Sequence, residues 1–386
     1  MSEQKELKKN GLKSMSEQKE RYFLFKYIVD ICINNNCIIF GGFVRDSIIH
    51  QKGASEYYLK KHTTAQYSNE TVDPETFKDR NTYAKDIDIF LNDLTKWDNI
   101  ENELKNNMSM TITRNKEKTL SNYNNHPYFI LNFTVTRFWY SYYYNCSFQN
   151  KSRKIDFNID IVSNTYNSTL QPWSVLIDCA SNTLYLDKHG IHSNIENFGI
   201  IDKYSQIHKL IELTKNKITF IPTPPASYIN PSSYTECAAI AFRSCISVDE
   251  ASLHNTPEYR VRYRIKLIKR LAKTFQQGFS IINSPIEFAI YSDKLDSSFC
   301  NDESCCCISQ DDFRTNDLIM RLKGSRSVML YESFLKHLSR PTPIVLDDLG
   351  GDFWSISCPV TRIKVPIFDN FCHRDFLNLS SGDKAK

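Results

Sequence analysis

Asp86-Ile87-Asp88 places two carboxylates two residues apart. In an extended strand such residues share a face. Ile87, Ile89 and Leu91 then take the core face and leave both carboxylates side by side. Adjacent like charges are costly unless a cation or a proton neutralises them. Magnesium does so with carboxylate oxygens and substrate phosphates together. The alternating stretch 154–162 offers a third carboxylate. Ile155, Phe157, Ile159 and Ile161 form one face, and Asp156, Asn158 and Asp160 the other. Either aspartate can complete a metal pair; Asp160, between β-branched residues in mid-strand, is the stronger choice. Two magnesium ions on three carboxylates can activate a nucleophile, neutralise a triphosphate and steady leaving pyrophosphate.

A phosphate site is predicted next to them. Cys37-Ile38-Ile39-Phe40 reads as a buried strand, Gly41-Gly42 as a sharp turn, and residues 43–49 as a helix. Glycines let backbone approach a ligand without a Cβ in the way. The helix points amide groups and the positive end of its dipole at the turn. Arg45 in its first turn can add a charge-assisted contact.

These residues need strands and helices to hold them. Helical spacing begins at Arg21, and strands are predicted around 87–91, 108–114, 128–140, 154–163 and 175–186. Asp187-Lys188-His189-Gly190 reads as a turn. Residues 51–83 are polar and aperiodic, an inserted loop. From residue 200 the period becomes helical, over 204–214 and 259–276. Lys266, Lys269, Arg270 and Lys273 make a basic stripe on the second helix, suited to nucleic acid or triphosphate or to plain solvation. Phe138-Trp139-Tyr140-Ser141-Tyr142-Tyr143-Tyr144 fits either base stacking or a strand buried on one face.

The expected organisation is a polar tail over 1–20, a catalytic head over 21–200, a helical extension over 201–293 and a small module over 294–386. MSEQKE occurs at 1–6 and again at 15–20, which reads as a disordered tail or an alternative start. The 386 residues carry a formal charge of +4, which permits a nucleic-acid partner without requiring one. The polar start and the lack of a long apolar run point to an intracellular, cytoplasmic protein with no membrane partner. Richness in Asn, Lys, Ile and Tyr suggests an AT-rich coding genome, such as that of a large DNA virus or a protist. Of the 12 cysteines, Cys32, Cys37, Cys146, Cys179, Cys237 and Cys245 read as buried thiols outside any disulfide framework.

Gly41-Gly42-Phe43-Val44-Arg45-Asp46 followed by Asp86-Ile87-Asp88 resembles the tRNA nucleotidyltransferases and bacterial poly(A) polymerases, the class II branch of the polymerase-β superfamily. Asp178-Cys179-Ala180-Ser181-Asn182-Thr183-Leu184 resembles that family's D-F-T-x-N-A-L motif. Residues 264–270, ending at Gly278-Phe279, resemble the helix after its catalytic head. The resemblance implies an α+β fold with a polymerase-β-like mixed sheet and helices. It implies magnesium on Asp86, Asp88 and Asp160. It gives Gly41, Gly42, Arg45 and Asp46 the triphosphate, Asp178 and Asn182 the nucleotide pocket, and Arg270 and Lys273 a phosphate contact. The substrates would be an NTP and an RNA or protein acceptor. The insert over 51–83 departs from the family. So do Leu176-Ile177, where it has paired arginines, and Glu258-Tyr259-Arg260-Val261-Arg262, which lacks the Asp of its base-reading element. CCA addition is therefore not expected.

Near the C-terminus, Cys305 and Cys307 with Cys358 and Cys372 or His373 have poor spacing for zinc. Cys306-Cys307-Ile308-Ser309 and Ser357-Cys358-Pro359-Val360-Thr361-Arg362 instead resemble the opening and closing loops of RING and U-box ubiquitin ligases. Residues 322–338 would supply the middle turn and helix. The central RING ligands are missing, so the U-box, which uses hydrogen bonds where the RING uses zinc, is closer. The resemblance implies that Ile308 and Pro359 meet a ubiquitin-conjugating enzyme. A small interaction module without ligase activity is the alternative.

Overall fold

The computed structural model describes residues 20–21, 23–49, 86–106, 111–119, 133–146, 151–164, 179–193, 203–221, 257–292, 299, 305–339 and 355–366. The expected tail up to residue 19, the insert over 51–83, Asp178, Cys237, Cys245, Cys372 and His373 lie outside them. The chain forms two compact units: Met1–Ser174 with Asn182–Asn194, and Val175–Ser181 with Ile195–Lys386. Both mix helices and sheets, as expected for an α+β chain. Among the described residues no helix is long and apolar enough to cross a membrane.

The first unit is built on helix α1 (residues 23–34), β1 (Ile38–Phe40), β2 (Asp86–Leu91), α2 (Trp97–Lys105), β3 (Thr111–Thr119), β4 (Phe133–Cys146), β5 (Lys151–Asn164), β6 (Leu184–Asp187) and β7 (Gly190–Ser193). Seven strands form one mixed sheet in the order β3-β4-β5-β2-β1-β6-β7. Only β2 and β5 are parallel neighbours; β1 runs antiparallel to β2. Alternation in sequence becomes two faces. Ile87, Ile89, Ile159 and Ile161 are fully buried, as are Phe138, Tyr140 and Phe157. Phe25 of α1 meets Phe43 and Phe157 edge-on, at 5.3 and 6.2 Å between ring centres. Trp97 of α2 stacks on Phe138 at 5.9 Å. The aromatic run 138–144 is therefore half core: Phe138, Tyr140, Tyr142 and Tyr144 are buried, while Tyr143 is 39% exposed.

Glu101 is a buried charge on α2. Arg114 of β3 donates to it twice, from Nε at 2.7 Å and Nη2 at 2.5 Å, and Lys105 lies 3.1 Å away. Burial pushes the carboxyl up, but hydrogen bonds from Arg114, Lys105 and Tyr140 outweigh it and hold the group below its ordinary value of 4.5. A depressed carboxyl contributes stability that is present above its unfolded value and lost as pH falls through the lower folded value. The non-titrating Glu101→Gln variant should thus lose less stability than the natural chain between neutral pH and about pH 3. Denaturant midpoints across that range check it.

The second unit contains α3 (Lys203–Lys215), β8 (Ile218–Thr219), α4 (Pro257–Gln276), β9 (Ser280–Ile281), β10 (Ile286–Ile290), β11 (Leu318–Leu322), β12 (Met329–Leu330), α5 (Tyr331–Leu338), β13 (Ser355–Ser357) and β14 (Lys364–Pro366). Strand β10 pairs with β11, so the sheet crosses the boundary expected at residue 293. One hydrophobic cluster joins Leu267, Ile268 and Leu271 of α4 to Cys306, Met320, Phe334 and Cys358. Helical extension and C-terminal segment share that core.

Candidate functional site

Register alone brings the three carboxylates to one face. Asp88 of β2 pairs with Asp160 of β5 and Asp86 with Asn158, in parallel. On its other side Asp88 pairs with Phe40, the last residue before Gly41. Asp86 and Asp88 are half-buried between the buried Ile87 and Ile89. Asp156, the other candidate on β5, lies beyond the β2 pairing. Ser141 donates to it at 2.5 Å and Lys154 sits at 3.0 Å, which together hold its carboxyl below the ordinary value.

Gly41 has a left-handed backbone, φ +73°, and a Cβ there would stand 2.8 Å from Asp88 Oδ2. The glycine is thus required twice, for the turn and for the space the carboxylate occupies. A Cβ at Gly42 would meet only ordinary contacts, 3.7 Å to Arg45 and 3.9 Å to Asp46. Gly41→Ala should cost about 1–2 kcal/mol in backbone strain and displace Asp88, lowering Mn²⁺ affinity at least about tenfold. Gly42→Ala should change neither. Calorimetric Mn²⁺ titration with a melting curve checks both.

Arg45 and Asp46, expected at the triphosphate, pair with each other. Both are buried, at 4% and 8% exposure. Arg45 donates from Nε to Asp46 Oδ1 at 2.8 Å and from Nη2 to Oδ2 at 2.5 Å. Its Nη1 donates to Asn182 Oδ1 at 2.6 Å. The guanidinium therefore sets its fork on Asp46 and reaches Asn182, in the turn before β6, with Nη1, which ties two distant motifs together. Arg270 is half-buried and Lys273 exposed on α4 of the second unit.

Arg137 was not singled out in the sequence. It pairs with Asp160 across β4 and β5, donating from Nε at 2.6 Å and Nη2 at 2.5 Å. Its place on the polar side of an alternating strand was readable; the register that sets it against Asp160 was not.

Asp86 and Asp88 fit one divalent ion by donor chemistry, shared face and partial exposure. Asp160 belongs to the same face, but Arg137 holds both its oxygens. Among the described residues, no group of three or more His, Cys, Asp or Glu side chains is arranged to hold a metal ion.

The second unit carries two turns of one design. Cys306 and Cys358 are both fully buried and unbridged. In each turn the cysteine amide donates to the carbonyl five residues on, Asp311 or Ile363, at 2.8 Å. The amide four residues on, Gln310 or Arg362, donates back to the cysteine carbonyl at 2.8 and 3.0 Å, with φ of 61° and 60°. Cys306 Sγ accepts from the Leu330 amide at 3.3 Å, and Cys358 Sγ from the Thr361 amide at 3.4 Å. Burial pushes both thiols up. Hydrogen bonds from Ser309 and from Thr361 with Ser325, joined by neighbouring amides, outweigh it and hold both below the ordinary value. Hydroxyls thus stand three residues after each cysteine. Ile308 and Pro359 are half-buried at the turns, beside the exposed Val360 and Ile363.

Comparison of the chain with protein-family models, with curated proteins and with solved structures finds no match.

Proposed function

We propose that the first unit is a nucleotidyl-transfer head that moves a nucleoside monophosphate from an NTP to an RNA 3′ hydroxyl or a protein hydroxyl. The observation that carries this reading is Asp88 packed under Gly41 and paired in register with Asp160. Magnesium on Asp86 and Asp88 would supply charge neutralisation for the triphosphate. The chain's residues do the rest. The turn at Gly41-Gly42 leaves backbone open for close approach of phosphate. Arg45 fixes the Asn182 amide, which the resemblance puts at the nucleotide pocket. The acceptor oxygen forms a bond to the α-phosphorus as the bond to the bridging oxygen breaks, and pyrophosphate carries away the electron pair. Asp160 is the nearest group to take the acceptor's proton. Incorporation of α-labelled NTP into RNA and into protein, with the Asp86→Ala/Asp88→Ala variant as control, tests this. Label that needs both carboxylates supports it; no incorporation and no nucleotide binding would leave an inactive scaffold.

The paired cysteine turns favour a second reading for the C-terminal part. Hydrogen bonds surround each thiol, and Ser309 and Thr361 stand where a zinc knuckle has its second cysteine. This supports a U-box-like module that meets a ubiquitin-conjugating enzyme through Ile308 and Pro359. Autoubiquitination with a panel of conjugating enzymes tests it; Ile308→Ala should abolish the signal, and no signal with any enzyme leaves an interaction module.

A further inference from the structure

We propose that Arg137 is a phosphate-operated gate on the third carboxylate. It is the counter-ion of Asp160 and hands Asp160 over to a divalent ion only when an incoming phosphate draws the guanidinium away. The inference rests on the nucleotidyl-transfer reading of the same site. Asp160 is 6% exposed, so its charge needs a partner at all times. The sheet supplies one in register, since Arg137 is its Cα partner on β4 and grips both oxygens, at 2.6 and 2.5 Å. A second cation beside Asp160 would face that guanidinium, and two like charges competing for one carboxylate repel. While Arg137 holds Asp160, then, Asp86 and Asp88 take an ion without it.

The guanidinium is a quarter exposed, so it is reachable from solvent. Its planar fork suits phosphate as well as carboxylate. Phosphate reaching this row of the sheet offers Arg137 a new partner and frees Asp160 at the moment a second ion, or a proton acceptor, is useful. Linkage then requires that phosphate ligand and metal strengthen each other's binding. The phosphate belongs to an acceptor strand or to the triphosphate; the chemistry is shared, and separate titrations distinguish them.

The test is Mn²⁺ titration followed by calorimetry and by the paramagnetic signal of bound Mn²⁺, with no turnover required. Arg137→Gln should raise Mn²⁺ affinity about tenfold or more, and Arg137→Lys should stay near the natural chain. Arg137→Gln leaves Asp160 without its partner, so its melting temperature should fall and recover with Mn²⁺. Should it fail to fold, Arg137→Gln/Asp160→Asn removes both charges and should bind Mn²⁺ like the natural chain. A single-stranded RNA oligonucleotide should raise Mn²⁺ affinity in the natural chain and not in Arg137→Gln, and a non-hydrolysable NTP, itself a metal ligand, should raise it more in the natural chain than in Arg137→Gln. A difference between the two chains in the RNA arm assigns the phosphate to the acceptor, and one in the NTP arm to the nucleotide. Unchanged affinity in Arg137→Gln, a double variant that binds differently from the natural chain, or an equal response of the two chains to both ligands overturns the gate. Loss of Mn²⁺ binding in Asp86→Asn/Asp88→Asn alongside that result leaves the site reading standing. Mn²⁺ binding indifferent to those two carboxylates overturns the reading itself.

Discussion

Asp88→Asn is expected to lower nucleotide incorporation by about a thousandfold while leaving the fold intact. The substitution keeps the side chain's size beside Gly41 and removes one unit of negative charge. At roughly 4 Å and an effective dielectric constant of about 20, that charge is worth about 4 kcal/mol to a bound cation. If the loss falls on the transition state, it is about three orders of magnitude in rate. Asp88 is half-buried and Asn keeps its size, so the melting temperature should move by no more than a few degrees. Asp156→Asn, on the same strand but held by Ser141 and Lys154, should leave the rate within a few-fold. Initial rates on labelled NTP with melting curves for both variants give the answer. A fall in rate matched by loss of fold would assign Asp88 a structural role.

Arg45→Ala is expected to be the most destabilising single change at the site. It removes the bidentate donor to the buried Asp46 carboxylate and the donor to Asn182 Oδ1. Breaking one partner of a buried ion pair costs about 3–5 kcal/mol, mostly for the charge left behind. For a unit of this size the melting temperature should drop by more than about 6 °C. Arg45→Met/Asp46→Leu removes both charges and should recover much of that loss. It should still be poor at nucleotide binding, because Asn182 has lost the donor from Arg45. Were Arg45 a phosphate ligand exposed to solvent, Arg45→Ala would weaken nucleotide binding and spare stability. Thermal melts and nucleotide titrations on both variants separate the two roles.

What could be read from the chain follows from the period of its side chains. The face carrying Asp86, Asp88 and Asp160 was legible because strand alternation is strict and Ile87, Ile89, Ile159 and Ile161 mark the other side. The register puts Asp160 and not Asp156 beside β2. The turn before β7 was legible from Asp187 and Gly190. Arg137 was not, because pairing between β4 and β5 is a long-range property that no local spacing encodes. Nor was Arg45's engagement. A charged residue after two glycines suggests phosphate; the fork is held by the neighbouring Asp46, and the reach of Nη1 to Asn182, far along the chain, is not encoded locally. The shared core of α4 with Cys306 and Cys358 was hidden for the same reason: a cluster is made by contact, and composition along the chain showed a boundary there. The two cysteine turns were visible as short motifs, but their matching hydrogen bonds required coordinates.

The central claim is that Asp86 and Asp88, beside Gly41, hold the cation that presents a nucleoside triphosphate. Crystals grown with Mn²⁺ and a non-hydrolysable NTP test it most directly, through the anomalous signal of the metal. A peak beside the Asp86 and Asp88 carboxylates is expected, with triphosphate density running over Gly41-Gly42. Manganese bound elsewhere, or nucleotide density away from that turn, would contradict it.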